Sequence, residues 1–189
     1  MLTSLLIRRQ HGISLIEVMV TVFILTVGLL GMAGLQSRLQ QSEMEAYQRS
    51  QALLLLNDMA NRVANNRNNA DDYVTGTSTP LGVGADCTIG ATPSRQQVDA
   101  GEWCDALQGA AETVDDGGSK VGAMLGGRGC VESLGSGRYM ITVAWQGLVP
   151  LTAPPASVAC GKDSYDGGTA CTGDLCRRVV TTIVRVATL

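Results

Sequence analysis

A single carboxylate is the most unusual chemical group in this sequence. Glu17 lies within an apolar stretch that opens at Ile13 and has no other charged residue before Arg38. A charge in a segment that enters lipid is unfavourable and usually has a specific partner. The position of Glu17 therefore indicates a role that a simple membrane anchor does not require.

Catalytic chemistry has little support in the rest of the chain. The only histidine is His11, so no histidine follows the start of the apolar stretch. Histidine is the commonest general base and metal ligand. No GxSxG nucleophile motif or phosphate-binding loop is present. We expect no catalytic residues, no metal site and no cofactor, so the chain is not predicted to be an enzyme.

Two ordinary interpretations of the N-terminal segment remain open. A secretory signal would be cleaved near the small residues 31–33, but the apolar run 13–35 exceeds the usual length of about 7–15 residues. A plain transmembrane anchor needs about 20 apolar residues, which residues 18–37 supply. Arg8 and Arg9 would then hold its N-terminus in the cytoplasm. Neither interpretation explains the internal carboxylate.

The segment Gly12-Ile13-Ser14-Leu15-Ile16-Glu17 resembles the processing site of type IV pilins and pseudopilins. The resemblance implies that residues 1–12 are a prepilin leader, that a prepilin peptidase cuts after Gly12, and that Ile13 becomes the methylated N-terminus. The family usually has Phe where this chain has Ile13. The resemblance also implies that Glu17 neutralises the amine of a neighbouring subunit in the filament, since an unpaired buried charge is strongly unfavourable.

Three glycines recur every three residues in the apolar segment, at Gly28, Gly31 and Gly34. Glycine lowers helix propensity, but small residues let helices in membranes approach one another closely. We expect these glycines to pack against helices of other subunits. Simple tolerance of glycine in lipid is the alternative.

The periodicity of apolar residues predicts one continuous helix over about 14–65. Residues 13–37 form its transmembrane or filament-core half and residues 38–66 its amphipathic half. Asparagines at 65–69 should end it, because Asn is a poor helix former and a common C-terminal cap. The face predicted to contact the head comprises Leu39, Ala46, Leu53, Leu56, Ala60 and Val63.

Residues 67–189 are predicted to form a globular head on this helix. The head begins with a loop at 70–94, which the resemblance identifies with the variable αβ-loop of the family, followed by a second helix at about 96–112 and another loop at 115–129. The second helix presents Val98, Trp103, Leu107 and Ala111 on one face, with Trp103 as a core anchor.

Strands in the head are predicted at 130–134, 139–145 and 179–186. The fold class is therefore α+β, the lollipop of the pilin family, in which a long N-terminal helix packs on a small antiparallel sheet with disulfides.

Six cysteines fall in the predicted head: Cys87, Cys104, Cys130, Cys160, Cys171 and Cys176. In an exported protein an even number indicates disulfides. We expect Cys87 to pair with Cys104 and the other four to close the Cys-rich C-terminal region. Zinc is disfavoured because no histidine is available. Asp163, Asp166 and Asp174 miss the EF-hand spacing for calcium, so a solvated acidic loop is expected.

Charge argues against nucleic acid as a partner. Residues 71–174 contain thirteen acidic and five basic side chains, and such a surface repels phosphates. Arg177, Arg178 and Arg185 form only a small basic group on the predicted last strand.

The order Tyr139-x-x-x-Val143-x-Trp145-x-Gly147, before a Cys-rich loop and a terminal strand, resembles the minor pilin group called type IV pilus modification protein PilV. This resemblance implies a minor pilin in a priming and tip complex, with partners among other minor pilins, the major pilin, the inner-membrane assembly platform and a tip adhesin. It places the chain in the bacterial inner membrane, N-terminus cytoplasmic and head periplasmic, and then in the pilus (fimbrium), which drives twitching motility. The alternatives are a minor pseudopilin of a type II secretion system and a filament-tip receptor for DNA or a surface.

Overall fold

The computed structural model describes residues 12–109 and 124–187. The chain divides into two compact units, Met1–Ser42 and Glu43–Leu189, which are described separately. The first helix, α1, spans Leu15–Asn65 without a break and contributes to both units. The predicted helix over about 14–65 is confirmed.

Both ends of α1 have local causes. The carbonyl of Ser14 accepts hydrogen bonds from the backbone N–H groups of Glu17 and Val18, at 3.0 and 3.3 Å. Glu17 lies in the first turn and Arg62 in the last, which are the favourable ends for these charges in the field of the helix dipole. The helix ends where the run of asparagines begins.

The first unit consists of the apolar part of α1. Of the helices that the structure describes, α1 alone is long and apolar enough to cross a membrane, and none of its most apolar window is buried in the chain. The hydroxyls of Thr21 and Thr26 donate to carbonyls three residues earlier in the helix, at 2.9 and 2.8 Å. Their polar atoms therefore need no partner outside α1.

The second unit contains a four-stranded antiparallel sheet in the order β1-β2-β3-β4. The elements after α1 are a 3₁₀ helix at Arg67–Tyr73, β1 at Leu81–Gly82, α2 at Arg95–Leu107, β2 at Arg128–Gly135, β3 at Arg138–Gln146 and β4 at Arg177–Arg185. The long helix, the small antiparallel sheet and the disulfides confirm the predicted α+β fold class.

The core of this unit lies between one face of the sheet and the C-terminal part of α1. The buried positions on α1 are Gln48, Ala52, Leu56, Met59 and Val63. The core side chains of the sheet include Val131, Tyr139, Ile141, Val143 and Trp145.

The predicted contact face of α1 is partly wrong. Leu56 and Val63 are buried, but Leu39, Ala46 and Leu53 are exposed. Each residue advances an α-helix by about 100°, so Leu53 points about a quarter-turn away from the buried Ala52. The prediction followed apolar residues seven positions apart, and the stripe that they form lies beside the face of α1 that is buried.

Two short elements interrupt the predicted αβ-loop. The 3₁₀ helix follows α1 directly, and β1 pairs with β2 through Leu81 opposite Gly129. The loop predicted over 115–129 is cut short by β2, which starts at Arg128. Residues 110–123 lie outside the described part of the chain.

The second helix is shorter than predicted. Its start has a capping box, in which the Ser94 hydroxyl accepts the Gln97 N–H and the Gln97 side chain accepts the Ser94 N–H. It ends at Leu107, because Gly109 follows with a φ of 85°. Ala111 and Glu112, which the prediction included, lie outside the described residues.

Candidate functional site

The bond between Gly12 and Ile13 lies outside regular structure. Both residues precede α1, both are exposed, and Ile13 keeps 75% of its surface accessible. A Cβ added at Gly12 would meet no atom within 4 Å. No described residue thus covers this bond, as an enzyme that acts on an exposed segment requires.

Glu17 lies on the first turn of α1, four residues after Ile13. Among residues 12–109 and 124–187, no basic side chain forms an ion pair with Glu17. The described part of the chain thus leaves the only charge of its apolar segment without an oppositely charged partner.

The three glycines of the apolar segment face open space. A Cβ built on Gly28, Gly31 or Gly34 would have no neighbour within 4 Å. Nearby large side chains are exposed as well, including Phe23 at 69% and Leu30 at 72%. No contact within the described chain requires glycine at these positions.

Three disulfides cross-link the head, two of them between a loop and a regular element. The structure joins Cys87 to Cys104, the pair proposed from the sequence, and so attaches the loop after β1 to α2. Cys130 on β2 is joined to Cys160, and Cys171 to Cys176. All six cysteines of the chain are thereby paired.

The buried indole of Trp103 is a core anchor of α2, as predicted. Trp103 is fully buried, and its Nε1–H donates to the carbonyl of Leu55 on α1 at 2.8 Å. Gly129 on β2 lies against the ring, because a Cβ there would approach Trp103 to 2.1 Å.

A polar network around Asp99 joins α1, the 3₁₀ helix and α2. Asp99 is 1% exposed and accepts from Arg62 on α1 at 3.0 Å and from the Tyr73 hydroxyl of the 3₁₀ helix at 2.6 Å. Burial tends to lower the pKa of Arg62, but hydrogen bonds to Glu102 and Asp58 outweigh it and raise that pKa. Burial and the bond to Asp99 raise the pKa of Tyr73.

This network was not predicted from the sequence, although the sequence contains one signal for it. Asp58 and Arg62, like Arg95 and Asp99, are spaced four residues apart, as helical ion pairs are. The structure forms both pairs, at 2.9 and 3.1 Å. Their convergence on one buried carboxylate depends on how the helices pack, which no local spacing reveals.

Glu45 connects α1 to the segment between β3 and β4. Its carboxylate accepts from the backbone N–H of Leu148 at 3.2 Å and from Arg178 at 3.4 Å. Arg178 also donates to the carbonyl of Val149 at 2.6 Å.

The basic group predicted on the last strand does not form a basic surface. Arg177 is 2% exposed and pairs with Asp174 at 3.0 Å. Its guanidinium also donates to the carbonyls of Val158 and Cys160. With Arg178 held by Glu45, only Arg185 is exposed to solvent.

The aspartate loop is better ordered than a solvated acidic loop. Both carboxylate oxygens of Asp166 accept backbone N–H groups, from Gly173 and Asp174. Asp174 is 5% exposed because it pairs with Arg177. Within the described residues, no group of three or more His, Cys, Asp or Glu is placed to hold a metal ion.

The comparisons with known proteins bear on the N-terminal segment alone. The family model for the prokaryotic N-terminal methylation motif matches residues 7–33. No curated protein and no solved structure matches the chain. The motif supports a type IV pilin-like or pseudopilin protein and favours a structural subunit over an enzyme. With the apolar helix, it is consistent with membrane anchoring before assembly with other filament components.

Proposed function

We propose that this chain is a minor pilin, a structural subunit that helps to initiate assembly of a type IV pilus within a minor-pilin priming and tip complex. The observation that carries the proposal is Glu17, a charge on an exposed apolar helix that pairs with no basic side chain among residues 12–109 and 124–187, within the matched methylation motif. Minor pilins of the PilV type are the finer assignment, supported by the order of Tyr139, Val143, Trp145 and Gly147.

Each part of the N-terminal segment has a role in this proposal. The leader 1–12 is removed by a prepilin peptidase between Gly12 and Ile13, and the new amine at Ile13 is methylated. Before assembly the chain is held in the inner membrane by residues 13–37, with the head in the periplasm. In the filament, Glu17 neutralises the Ile13 amine of a neighbouring subunit.

The glycine positions supply a surface for close helix packing in the filament. Gly28, Gly31 and Gly34 face open space in the single chain, and small residues permit close approach between membrane helices. The neighbouring helices belong to other minor pilins and the major pilin, and the inner-membrane assembly platform extracts the chain from the membrane. The head, with its three bridges, would carry a tip adhesin.

The test begins with the intact mass and N-terminal peptides of the full chain from native membranes, with and without the prepilin peptidase. We expect a methylated start at Ile13 that depends on the peptidase. A start near residue 34 would identify an ordinary secretory signal, and a start at Met1 in wild-type membranes would identify a plain anchor. Either result would overturn the proposal.

A substitution at Glu17 tests assembly separately from processing. We expect Glu17→Val to be cleaved normally but to be lost from sheared filaments at least tenfold, because its neighbour's amine then lacks a counter-charge. Glu17→Asp, which keeps the charge, is the matched control. Co-purification with components of a secretion machine instead of a pilus would favour the pseudopilin alternative.

A further inference from the structure

The outer edge of β4 is the longest unpaired strand edge among the residues that the structure describes. β4 is the last strand of the sheet and pairs with β3 alone. Its register with β3 runs without a bulge from Arg185 opposite Arg138 to Arg177 opposite Gln146. An exposed, regular edge is a template for another strand unless bulges, proline or charges protect it.

Two hydrogen bonds beyond the ends of β4 establish which of its backbone groups face outward. The N–H of Val186 donates to the carbonyl of Gly137, and the N–H of Gly147 donates to that of Cys176, both at 2.7 Å. Residue pairs in an antiparallel ladder alternate between bonded and non-bonded. The even-numbered residues therefore bond to β3. The outward backbone groups belong to Val179, Thr181, Ile183 and Arg185.

The side chains of the outward-facing residues lie on the face of the sheet opposite α1. Val180 and Val184 pack on the core, and successive side chains of a strand point to opposite faces. Ile183 is 59% exposed, and Thr181 and Arg185 are exposed too. The edge thus presents free backbone groups next to an uncovered apolar side chain.

Arg185 adds a positive charge at one end of this edge. It lies directly opposite Arg138, and like charges in that position repel each other. Arg138 donates only to the carbonyls of Leu134 and Gly135. In the described part of the chain, neither arginine forms an ion pair with a carboxylate. A carboxylate placed beside Arg185 would therefore be attracted by two guanidinium groups.

We propose that the outer edge of β4 binds an extended segment of another subunit of the same filament, which joins the sheet as a fifth strand. The added strand carries a carboxylate beside Arg185 and, two residues away on the same face, an apolar side chain beside Ile183. Backbone hydrogen bonds supply attraction and these two side chains supply selectivity. The existence of filament neighbours rests on the function proposed above.

A second copy of β4 fits this edge less well than a different subunit. Two copies joined edge to edge by a two-fold axis would run antiparallel. The strand Arg177–Arg185 contains no acidic residue, so a second β4 could not place a carboxylate beside Arg185. Self-pairing would thus leave Arg185 without the opposite charge that a different strand, carrying an acidic residue, supplies.

The experiment uses the full chain in native membranes that contain the other filament subunits. Ile183 is replaced by the photo-crosslinker p-benzoyl-L-phenylalanine, and the cross-linked peptide is identified by mass spectrometry. We expect a product with another subunit, at a segment that has an acidic residue two positions from an apolar one. The crosslinker at Asp72, exposed and distant from β4 in the sequence, is the positional control.

Two substitutions then separate the backbone and charge contributions. Thr181→Pro removes an outward N–H without breaking a bond to β3, and Thr181→Val keeps that N–H as its control. Arg185→Glu reverses the charge, and Arg185→Lys retains it. We expect the cross-link to fall at least tenfold with Thr181→Pro and Arg185→Glu and to persist in both controls. When the acidic residue of the partner is also replaced by arginine, the cross-link lost in Arg185→Glu should be restored.

Several results would overturn the proposal. These are a product formed only with a second copy of the chain, a product insensitive to Arg185→Glu, or no product although the disulfides and melting temperature match the wild type. If Thr181→Pro lowers the melting temperature, the proposal is judged by Arg185→Glu alone. The Arg185 side chain is exposed, so its replacement should not disturb the fold. The N-terminal mass of the same sample separates the two proposals. A chain that starts at Ile13 in filaments without the cross-link overturns only the edge site.

Discussion

Asp99 is the carboxylate on which the helices of the head converge. It accepts from Arg62 and Tyr73 and pairs with Arg95, although it is almost fully buried. Replacing it with asparagine leaves these donors facing a neutral amide. We expect Asp99→Asn to lower the free energy of unfolding by about 2–3 kcal/mol, as measured by urea denaturation of the full chain in detergent.

Asp58 provides the matched control for Asp99. It pairs with the same arginine at 2.9 Å, but 42% of its side-chain surface is exposed. We expect Asp58→Asn to lower the free energy of unfolding by about 0.5 kcal/mol or less. Equal losses for the two variants would show that burial of Asp99 does not set the strength of the network.

Tyr139 makes the stability of the head sensitive to alkaline pH. Its hydroxyl donates to Asp71 at 2.6 Å, and this bond, together with burial, raises the pKa of Tyr139 from 10.0 to about 12. A raised pKa stabilises the fold fully below the unfolded value and less as pH rises through the folded value. We expect the urea concentration at the midpoint of unfolding to decrease as the pH is raised from 10 to 12.

The variant Tyr139→Phe tests the origin of this pH dependence. It should be less stable than the wild type at pH 8, by about 1 kcal/mol, and should lose less stability between pH 10 and 12. Tyr73 and Tyr165 also have raised pKa values, so part of the alkaline loss should remain. An unchanged slope would assign the effect to the other two tyrosines.

The contact between α2 and β2 depends on the absence of a side chain at Gly129. A Cβ there would meet the ring of Trp103 at 2.1 Å, and overpacking of a core costs about 1–3 kcal/mol. We expect Gly129→Ala to lower the free energy of unfolding by that amount and to change the fluorescence of Trp103. Gly90→Ala is the control, because a Cβ there meets no atom within 4 Å, and it should be nearly neutral.

The elements that the sequence predicted well are those with long, regular patterns. α1 was found nearly to its ends because no proline interrupts its helical pattern before the asparagines that follow it. β3 was found from its β-rich composition and flanking glycines, and β4 from its run of β-branched residues. β1 was missed because two residues, Leu81 and Gly82, carry no periodicity, and their pairing is created by β2.

Parts of the candidate site were predictable for a similar reason. Gly12, Ile13 and Glu17 form a local motif, and residues 7–33 match the methylation model that contains it. The buried state of Arg177 was not predictable, because Asp174 and the carbonyls of Val158 and Cys160 reach it only after the Cys-rich loop has folded. Its charge alone suggested an exposed basic group.

The three bridges of the head follow a simple rule along the whole chain. The cysteines pair consecutively along the chain, Cys87 with Cys104, Cys130 with Cys160 and Cys171 with Cys176. Six cysteines allow fifteen pairings, and in this one no closed loop interlocks with another.

Under the proposed function the head is exported, and this arrangement bears on how it matures. A chain that crosses a membrane from its N-terminal side presents each correct pair before the next pair emerges. A thiol oxidase that joins the first two available cysteines therefore produces the native set without a reshuffling step. We expect loss of a disulfide isomerase to leave the amount of fully bridged chain unchanged, whereas loss of the oxidase should abolish it. Thiol labelling of the full chain in each background measures both.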